Sequence, residues 1–239
     1  MNPGKVRILP LLLVALASAI AASSSHAQSG IDMAWDDCAT SGKAKYSKSV
    51  DCADEGVFDL VCTFVSPVDV PSLGTVSWTL DVQLPSAGAS TWWSASKTRY
   101  ALSTASPGAS CGEPLSNLSQ VPPTSIGPFF SEVSPGRYRL KGDLVFMSGD
   151  EPTLKALVPY YSQTIQLRFD PGTSTDPGCQ ASACMIMDSM ILQSTQIPAV
   201  RLINPANRNR VTWRKPDNGC AAATPTKKQT WGEIKAFYR

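Results

Sequence analysis

Residues 75–84 read Thr-Val-Ser-Trp-Thr-Leu-Asp-Val-Gln-Leu, so that polar and apolar side chains alternate along the stretch. Residues 161–170, Tyr-Ser-Gln-Thr-Ile-Gln-Leu-Arg-Phe-Asp, repeat the same two-residue period. This period is that of a β-strand with one buried face and one solvated face. The two stretches therefore predict a protein built from sheets.

Further strands are predicted outside these two stretches, at 57–65, 137–147, 184–193, 199–203 and 210–213. Turn-forming pairs such as Pro135-Gly136 and Pro171-Gly172 separate them. Many short strands joined by such loops are typical of an antiparallel β-sandwich of jelly-roll or immunoglobulin-like kind. We expect residues 103–134 to form a surface excursion with little regular structure.

The first 27 residues have the pattern of a secretion signal. Lys5 and Arg7 precede an apolar stretch at 8–22, and Ser25-His26-Ala27 is a small-x-small cleavage site. This stretch is shorter than the ~20 apolar residues that span a bilayer, so we predict export to the periplasm or the extracellular space without a membrane span. The predicted parts are a signal peptide (1–27), a β-sandwich domain (28–223) and a C-terminal tail (224–239).

Removal of the signal leaves a chain that has no histidine and no net charge. The full sequence has 21 Lys and Arg against 19 Asp and Glu, and the signal holds two of the basic residues together with His26. Without imidazole, Ser-His-Asp catalysis, Cys-His catalysis and His-based zinc sites are excluded. A neutral balance also lacks the attraction that nucleic-acid binding requires. We therefore expect binding rather than catalysis, with no cofactor.

Charge is nevertheless distributed unevenly along the chain. Residues 28–70 have a net charge of −5, and residues 201–239 have a net charge of +7. Either the terminal strands neutralise each other within one sandwich, or the basic end of one molecule meets the acidic end of the next. Arg208 and Arg210 in the basic region are also suited to bidentate binding of an anionic polysaccharide or lipid headgroup.

Seven cysteines follow the signal, and an exported protein is expected to form disulfides. Because seven is odd, at least one cysteine has no partner within the chain. Cys62 shares a strand face with Phe58, Leu60 and Phe64, so we predict that it is the free thiol and lies in the core. Proximity across turns and elimination then predict three disulfides, which are Cys38–Cys52, Cys179–Cys184 and Cys111–Cys220.

Trp92 and Trp93 are adjacent, and consecutive side chains of a strand point to opposite faces. One of them either packs under a loop or forms an exposed platform on which a sugar ring stacks. Carbohydrate binding through these tryptophans is therefore the alternative function. A third alternative is a glycan-active enzyme with two catalytic carboxylates, drawn from Asp36, Asp37, Asp51, Asp54 and Glu55. These acids, or Asp170 with Asp176, are also the groups that would bind calcium if the protein does so.

The C-terminal tail has the signature of a short amphipathic helix. Thr230 and Glu233 form a capping box, and Lys235 and Arg239 suit the negative end of the helix dipole. The apolar stripe of this helix consists of Trp231, Ile234, Phe237 and Tyr238. Such a helix either packs on its own domain or docks on a partner, for which Trp231, Phe237 and Tyr238 are the contact residues.

Three blocks of sequence resemble uncharacterised secreted β-rich proteins of environmental bacteria. They are Trp35-Asp36-Asp37-Cys38, the Cys179 to Ser189 block that contains Cys184-Met-Ile-Met-Asp-Ser, and the final Thr230-Trp-Gly-Glu-Ile-Lys-Ala-Phe-Tyr-Arg. The resemblance implies export, β-structure and a C-terminus with a purpose, and it supplies no catalytic residue. We predict an exported, non-enzymatic binding or assembly protein of the cell surface, which binds a protein partner or a copy of itself, with glycans as the alternative ligand.

Overall fold

The computed structural model describes residues 28–39, 42–49, 56–85, 93, 98–104, 111–169 and 181–214. The regular elements in these ranges are one 3-10 turn, at Leu115–Asn117, and the strands β1 Gly30–Trp35, β2 Ser47–Lys48, β3 Val57–Val65, β4 Leu73–Gln83, β5 Thr98–Ser103, β6 Glu113–Pro114, β7 Thr124–Ser134, β8 Arg137–Val145, β9 Pro159–Phe169, β10 Ala183–Ser194, β11 Val200–Leu202 and β12 Arg210–Trp213. The predicted signal and C-terminal helix lie outside the described residues. Within those residues, no helix has both the length and the apolar character needed to cross a bilayer.

The strands form two open sheets. Sheet A has the order β1-β3-β9-β5 with β6 beside β9, and sheet B has the order β2-β12-β10-β4-β8-β7 with β11 beside β10. The long strands pair antiparallel, whereas the short β2 and β6 pair parallel to their neighbours. Buried residues of both sheets belong to one hydrophobic cluster. The all-β prediction is confirmed, and the arrangement is that of a β-sandwich.

The alternation of apolar and polar side chains that predicts β4 is matched by alternating burial in the structure. Val76, Trp78, Leu80 and Val82 are buried in the shared core with at most 1% exposure. β4 lies between β10 and β8 in sheet B, so its inward side chains are covered by sheet A. The intervening side chains form the outer face of sheet B, where Asp81 lies.

Alternation fails at one point in β9. Cys62 is paired with Gln163 and Thr63 with Tyr161, so that Ser162 is an extra residue in the ladder. This β-bulge moves Tyr161 to the outer face of sheet A, where it packs against Val61 in a separate small cluster. The expectation that Tyr161 and Gln163 share a face is therefore wrong, because a one-residue shift reverses the side-chain direction.

Residues 103–134 contain more regular structure than we predict from the sequence. β6, the 3-10 turn and β7 all lie in this segment, and β7 pairs with β8 along most of its length. β7 is exposed at nearly every position. Its side chains therefore lack the alternation that marks a half-buried strand, although Phe130 packs against the core.

Candidate functional site

Trp93 belongs to the core rather than to a binding surface. It has no exposed surface, and its ring packs edge-on against Trp213 with ring centroids 5.8 Å apart. Trp213 also contacts Trp35 and Phe58, so four aromatic rings share this part of the core. An enclosed ring has no face for a sugar, and the interpretation of Trp93 as a stacking platform is wrong. Trp92 lies outside the described residues.

A disulfide joins Cys38 to Cys111, whose Cα atoms are 5.1 Å apart although 73 residues separate them. The predicted pairs Cys38–Cys52 and Cys111–Cys220 are therefore wrong. Proximity in sequence is a poor guide here, because the chain returns to the outer face of sheet A after β5. There the bridge packs with Val61 and Tyr161.

Asp37 lies beside this disulfide, and its carboxylate is within 4.8 Å of both sulfur atoms. Cysteine and aspartate side chains are metal ligands in other settings. Here the two sulfur atoms of Cys38 and Cys111 are bonded to each other, and the Asp37 carboxylate accepts a hydrogen bond from the backbone N–H of Cys38 at 2.7 Å. Among the described residues, this cluster is therefore a structural feature and not a metal centre.

Cys62 is free and fully buried, as its strand face predicts. Burial strongly raises the pKa of its thiol, which stays protonated at neutral pH. Its Sγ contacts the carbonyl oxygen of Leu60 at 3.8 Å, a weak hydrogen bond in which sulfur is the donor. Cys184 is disulfide-bonded, and its predicted partner Cys179 lies outside the described residues.

Asp32 fixes the segment 204–208 against the edge of sheet A. Its carboxylate accepts hydrogen bonds from the backbone N–H of Asn207, from the side-chain amide of Asn207 at 2.8 Å and from the backbone N–H of Arg208 at 2.7 Å. Asp32 is only 2% exposed. A buried carboxylate is tolerated when N–H donors surround it, and such charge-assisted hydrogen bonds are among the stronger ones in proteins.

The free side of β1 is also hydrogen-bonded along its backbone. Three of its N–H groups donate to carbonyl oxygens outside the sheet, from Ile31 to Asn204, from Met33 to Arg208 and from Trp35 to Lys45. Gly30 opens the strand with φ +148°, and its missing side chain leaves room for the backbone of residues 204–206. This pairing places the acidic start of the domain beside its basic end, which supports neutralisation within one sandwich over head-to-tail association.

Arg208 and Arg210 take part in the same local structure. The guanidinium of Arg208 lies over the ring of Tyr46, 4.6 Å from its centroid, and its Nε donates to the carbonyl oxygen of Arg210 at 3.2 Å. Both arginines are half-buried. A guanidinium held in this way stabilises its own strand, so nothing in their geometry favours the predicted anion site.

Asp81 is the most deeply placed charge on the outer face of sheet B. Its carboxylate pairs with Arg137 and with Arg139, at 2.7 Å from the Nε of Arg139. Burial alone would raise the pKa of Asp81, but hydrogen bonds from the two arginines outweigh that effect and lower it. The same hydrogen bond raises the pKa of Arg139. This ion-pair network joins β4 to β8.

Two carboxylates near the surface, those of Asp150 and Asp69, accept hydrogen bonds from the backbone of loops. Backbone N–H groups of Gln120 and Val121 donate to Asp150 and lower its pKa. Asp69 accepts a hydrogen bond from the backbone N–H of Ala156 at 2.7 Å, which with a bond from Lys155 lowers its pKa as well. The general acid of a glycoside hydrolase needs a raised pKa, whereas the pKa values of Asp150 and Asp69 are both lowered.

The acids proposed for a glycan-active enzyme do not form a catalytic pair in the described structure. Asp36 forms an ion pair with Lys48, and Asp37 binds the backbone of Cys38. Asp51, Asp54 and Glu55, together with Asp170 and Asp176, lie outside the described residues. The contacts of Asp36 and Asp37 therefore do not favour the enzymatic alternative.

The exposed apolar surface lies instead on β7, which sequence reasoning missed. β7 is the last strand of sheet B and pairs with β8, and the described residues supply no strand on its other side. Ile126, Phe129 and Val133 are 41%, 60% and 48% exposed. A sequence signal was present, because residues 124–134 contain no lysine or arginine, the residues with which edge strands are usually protected.

No protein-family model matches the chain, and no curated protein matches it at a significant level. Among solved structures, a chain of a cohesin–dockerin complex is similar with a TM-score of 0.30 and 10% identity, covering 66% of this chain and 95% of that chain. AvmM, which catalyses macrocyclization in alchivemycin A biosynthesis, is similar with a TM-score of 0.34 and 11% identity, covering 75% of this chain and 90% of its own. At these values neither protein's role transfers to this chain.

Proposed function

We propose that the mature protein is an exported assembly protein that associates through the edge of sheet B. The single observation that carries this proposal is the exposed apolar strand β7 at an edge that the described residues leave unpaired. Its backbone N–H and C=O groups are a template for another strand, and strand addition is a recurrent mode of protein recognition. Of the acids considered for a glycan-active enzyme, Asp36 is held in an ion pair with Lys48 and Asp37 accepts a hydrogen bond from the backbone of Cys38.

The usable part of this edge is its C-terminal half. Pro128 has no N–H group to donate, and the register with β8 shifts between Ile126 and Phe129. Residues 129–134 follow this interruption without another proline and contain one charged side chain, that of Glu132. A second register shift, between Glu132 and Ser134, leaves Val133 as an extra residue in the ladder with β8. A partner strand therefore pairs mainly with residues 129–133.

The sequence of this half favours a second copy of the chain as the partner. An antiparallel pair centred on Ser131 places Phe129 of each copy opposite Val133 of the other. Aromatic and β-branched residues are a favourable cross-strand pair. Glu132 then lies opposite Phe130, so that no two like charges meet. The pairing has two-fold symmetry, which closes the assembly as a dimer with a continuous sheet.

The C-terminal tail supplies a second docking element in this proposal. Residues 215–239 hold five basic and two acidic residues, whereas residues 28–214 hold 14 basic and 17 acidic residues. The predicted helix, with Trp231, Phe237 and Tyr238 on one side, thus combines an apolar stripe with a charge opposite to that of the domain. Docking of this helix on the acidic domain of the second copy would reinforce the strand pairing.

The molar mass of the mature chain in solution tests the proposal. We expect light scattering coupled to size-exclusion chromatography to show a dimer at micromolar concentrations. The double substitution Phe129→Lys and Val133→Lys places charges on the edge and should yield a monomer with an unchanged far-ultraviolet circular dichroism spectrum.

Met147→Lys is the matched control, because Met147 is 63% exposed and lies outside β7. It should leave the dimer intact. Removal of residues 224–239 tests the tail separately and should weaken the dimer without abolishing it. A wild-type chain that is monomeric at 100 μM, or a dimer that the double substitution leaves unchanged, contradicts assembly through β7.

A further inference from the structure

Three unlike side chains lie in one row across the inner face of sheet A. Cys62 on β3 is directly opposite Met33 on β1 and directly opposite Gln163 on β9. Each of the three residues is 0% exposed. Directly opposed residues of an antiparallel pair have Cβ atoms about 4.5–5.5 Å apart, so their side chains are neighbours. A thioether, a free thiol and a carboxamide therefore lie side by side in one row of the core, with the thiol in the middle.

Among the described residues, the amide of Gln163 has no hydrogen-bond partner. Neither its Nε2 nor its Oε1 is hydrogen-bonded, and the hydroxyl of the adjacent Ser162 is also without a partner. Buried polar groups in native proteins nearly always form hydrogen bonds, so an unbonded buried amide indicates a candidate binding position for a ligand. It lies beside the bulge at Ser162, and bulges are over-represented next to functional sites.

We infer that Met33, Cys62 and Gln163 form a binding site for a soft monovalent cation, Cu(I). Thiolate and thioether sulfur atoms are the ligands that select Cu(I). The sulfur atoms of Cys62 and Met33 would be the principal ligands, and the amide oxygen of Gln163 would make a third, weaker bond. This site is independent of the proposed assembly function.

The charge of the site favours a monovalent ion. On binding, the Cys62 thiol loses its proton to the solvent and its sulfur bonds to the cation, and no oxidation or reduction occurs. One thiolate and one Cu(I) ion form a neutral pair, which an apolar core tolerates. A divalent ion such as Zn²⁺ would leave a net positive charge in the core, where an unpaired charge is strongly disfavoured.

Packing alone also explains a methionine and a free cysteine in a core, because both behave as hydrophobic residues. The two explanations differ in what they predict for Met33→Leu. Leucine conserves volume and apolar character, so the fold is retained. The thioether sulfur is lost, so a metal site is weakened while a purely packed core is not affected.

The test is anaerobic competition for Cu(I) between the mature protein and bicinchoninate, with the disulfides intact. We expect one equivalent of Cu(I) per chain, an ultraviolet thiolate-to-copper absorption band and a higher Tm in the presence of the metal. Met33→Leu should lower the affinity at least tenfold, Cys62→Ser should abolish binding, and Gln163→Leu should lower the affinity by a smaller factor.

Met147→Leu is the matched control, because Met147 is an exposed methionine, and it should bind as the wild type does. If Cys62→Ser does not fold, Met33→Leu decides alone. Binding of less than a tenth of an equivalent, or equal affinity for the wild type and Met33→Leu, overturns the proposal. Gln163→Leu that is more stable than the wild type and binds copper equally well would remove the amide from the site.

Discussion

The strands β1 and β7 both lie at sheet edges, but they differ in burial and in the hydrogen bonding of their outer sides. β1 is buried at every position, and its outer side is hydrogen-bonded by residues 204–208 and by Lys45. β7 is exposed at almost every position, and the described residues cover none of its outer side. One edge is closed by other segments of the chain, and the described residues leave the other edge unpaired.

Two features of β1 close its edge of the sheet. β1 has a buried carboxylate, that of Asp32, which fixes the segment alongside it, and a glycine that lets this segment approach. β7 has neither feature, and it also lacks the lysines that would repel another strand. Edge closure in this protein thus depends on a few polar contacts rather than on strand length.

We expect the largest loss of stability from Asp32→Ala, which removes the contacts that close the β1 edge. The substitution removes the buried acceptor of three hydrogen bonds and leaves two backbone N–H groups and one side-chain amide, all in partly buried bonds, without their partner. We expect the free energy of unfolding to fall by about 3 kcal/mol or more, since charge-assisted bonds and unsatisfied buried groups each contribute 1–3 kcal/mol. Urea denaturation measures the loss.

Asp150→Ala is the control for this prediction. Asp150 also accepts hydrogen bonds from two backbone N–H groups, but it does so at an exposed position where water replaces it. Its loss should therefore be much smaller than that of Asp32. Equal losses for the two variants would show that burial of the Asp32 contacts does not close the β1 edge.

Sequence reasoning succeeds where one face of a strand is buried. β4 and β12 agree with the predicted stretches, and the predicted inward face of Cys62 is confirmed. It fails for β1, because a strand buried on both faces has no alternation, and for β7, because a strand exposed on both faces has none either. The period reports a difference between two faces, and edge strands at the ends of a sandwich lack that difference.

The candidate site was less predictable than the fold for a related reason. Residue type alone points to Trp93 and Arg208 as binding residues, but contacts with distant residues decide what these side chains do. Trp93 packs on Trp213, and Arg208 on Tyr46. The Cys38–Cys111 disulfide likewise joins residues that only the return of the chain brings together. Long-range contacts of this kind leave no local pattern in a single sequence.

A smaller effect is expected at Asp81, which braces β4 to β8 and so supports the sheet that ends in β7. We expect Asp81→Asn to lower the free energy of unfolding at pH 7 by about 1–2 kcal/mol, because the charge-assisted bonds from Arg137 and Arg139 become neutral ones. Thermal or urea denaturation at several pH values measures it.

The contribution of Asp81 to stability depends on pH, and the direction follows from its lowered pKa. The pKa of Asp81 is lower in the folded protein than in the unfolded chain, where it is about 3.9. Its contribution to stability is therefore fully present above about pH 4 and is lost as the pH falls through the folded-state pKa. The wild type should thus lose more stability than Asp81→Asn between neutral and acidic pH. Parallel pH profiles for the two proteins would contradict the network.

The smallest effect is expected at the open edge itself, for Phe129→Ala measured in the monomer. Phe129 is 60% exposed, so its removal should change the free energy of unfolding by no more than about 0.5 kcal/mol. The neighbouring Phe130 is the internal contrast, because its ring stacks between Tyr100 and Tyr138 at centroid distances of 5.9 Å and 5.0 Å. Phe130→Ala should lose about 2 kcal/mol, less than the 3–5 kcal/mol of a fully buried phenylalanine. Equal losses for the two variants would mean that β7 is covered in the monomer, and the contrast between the two edges would then disappear.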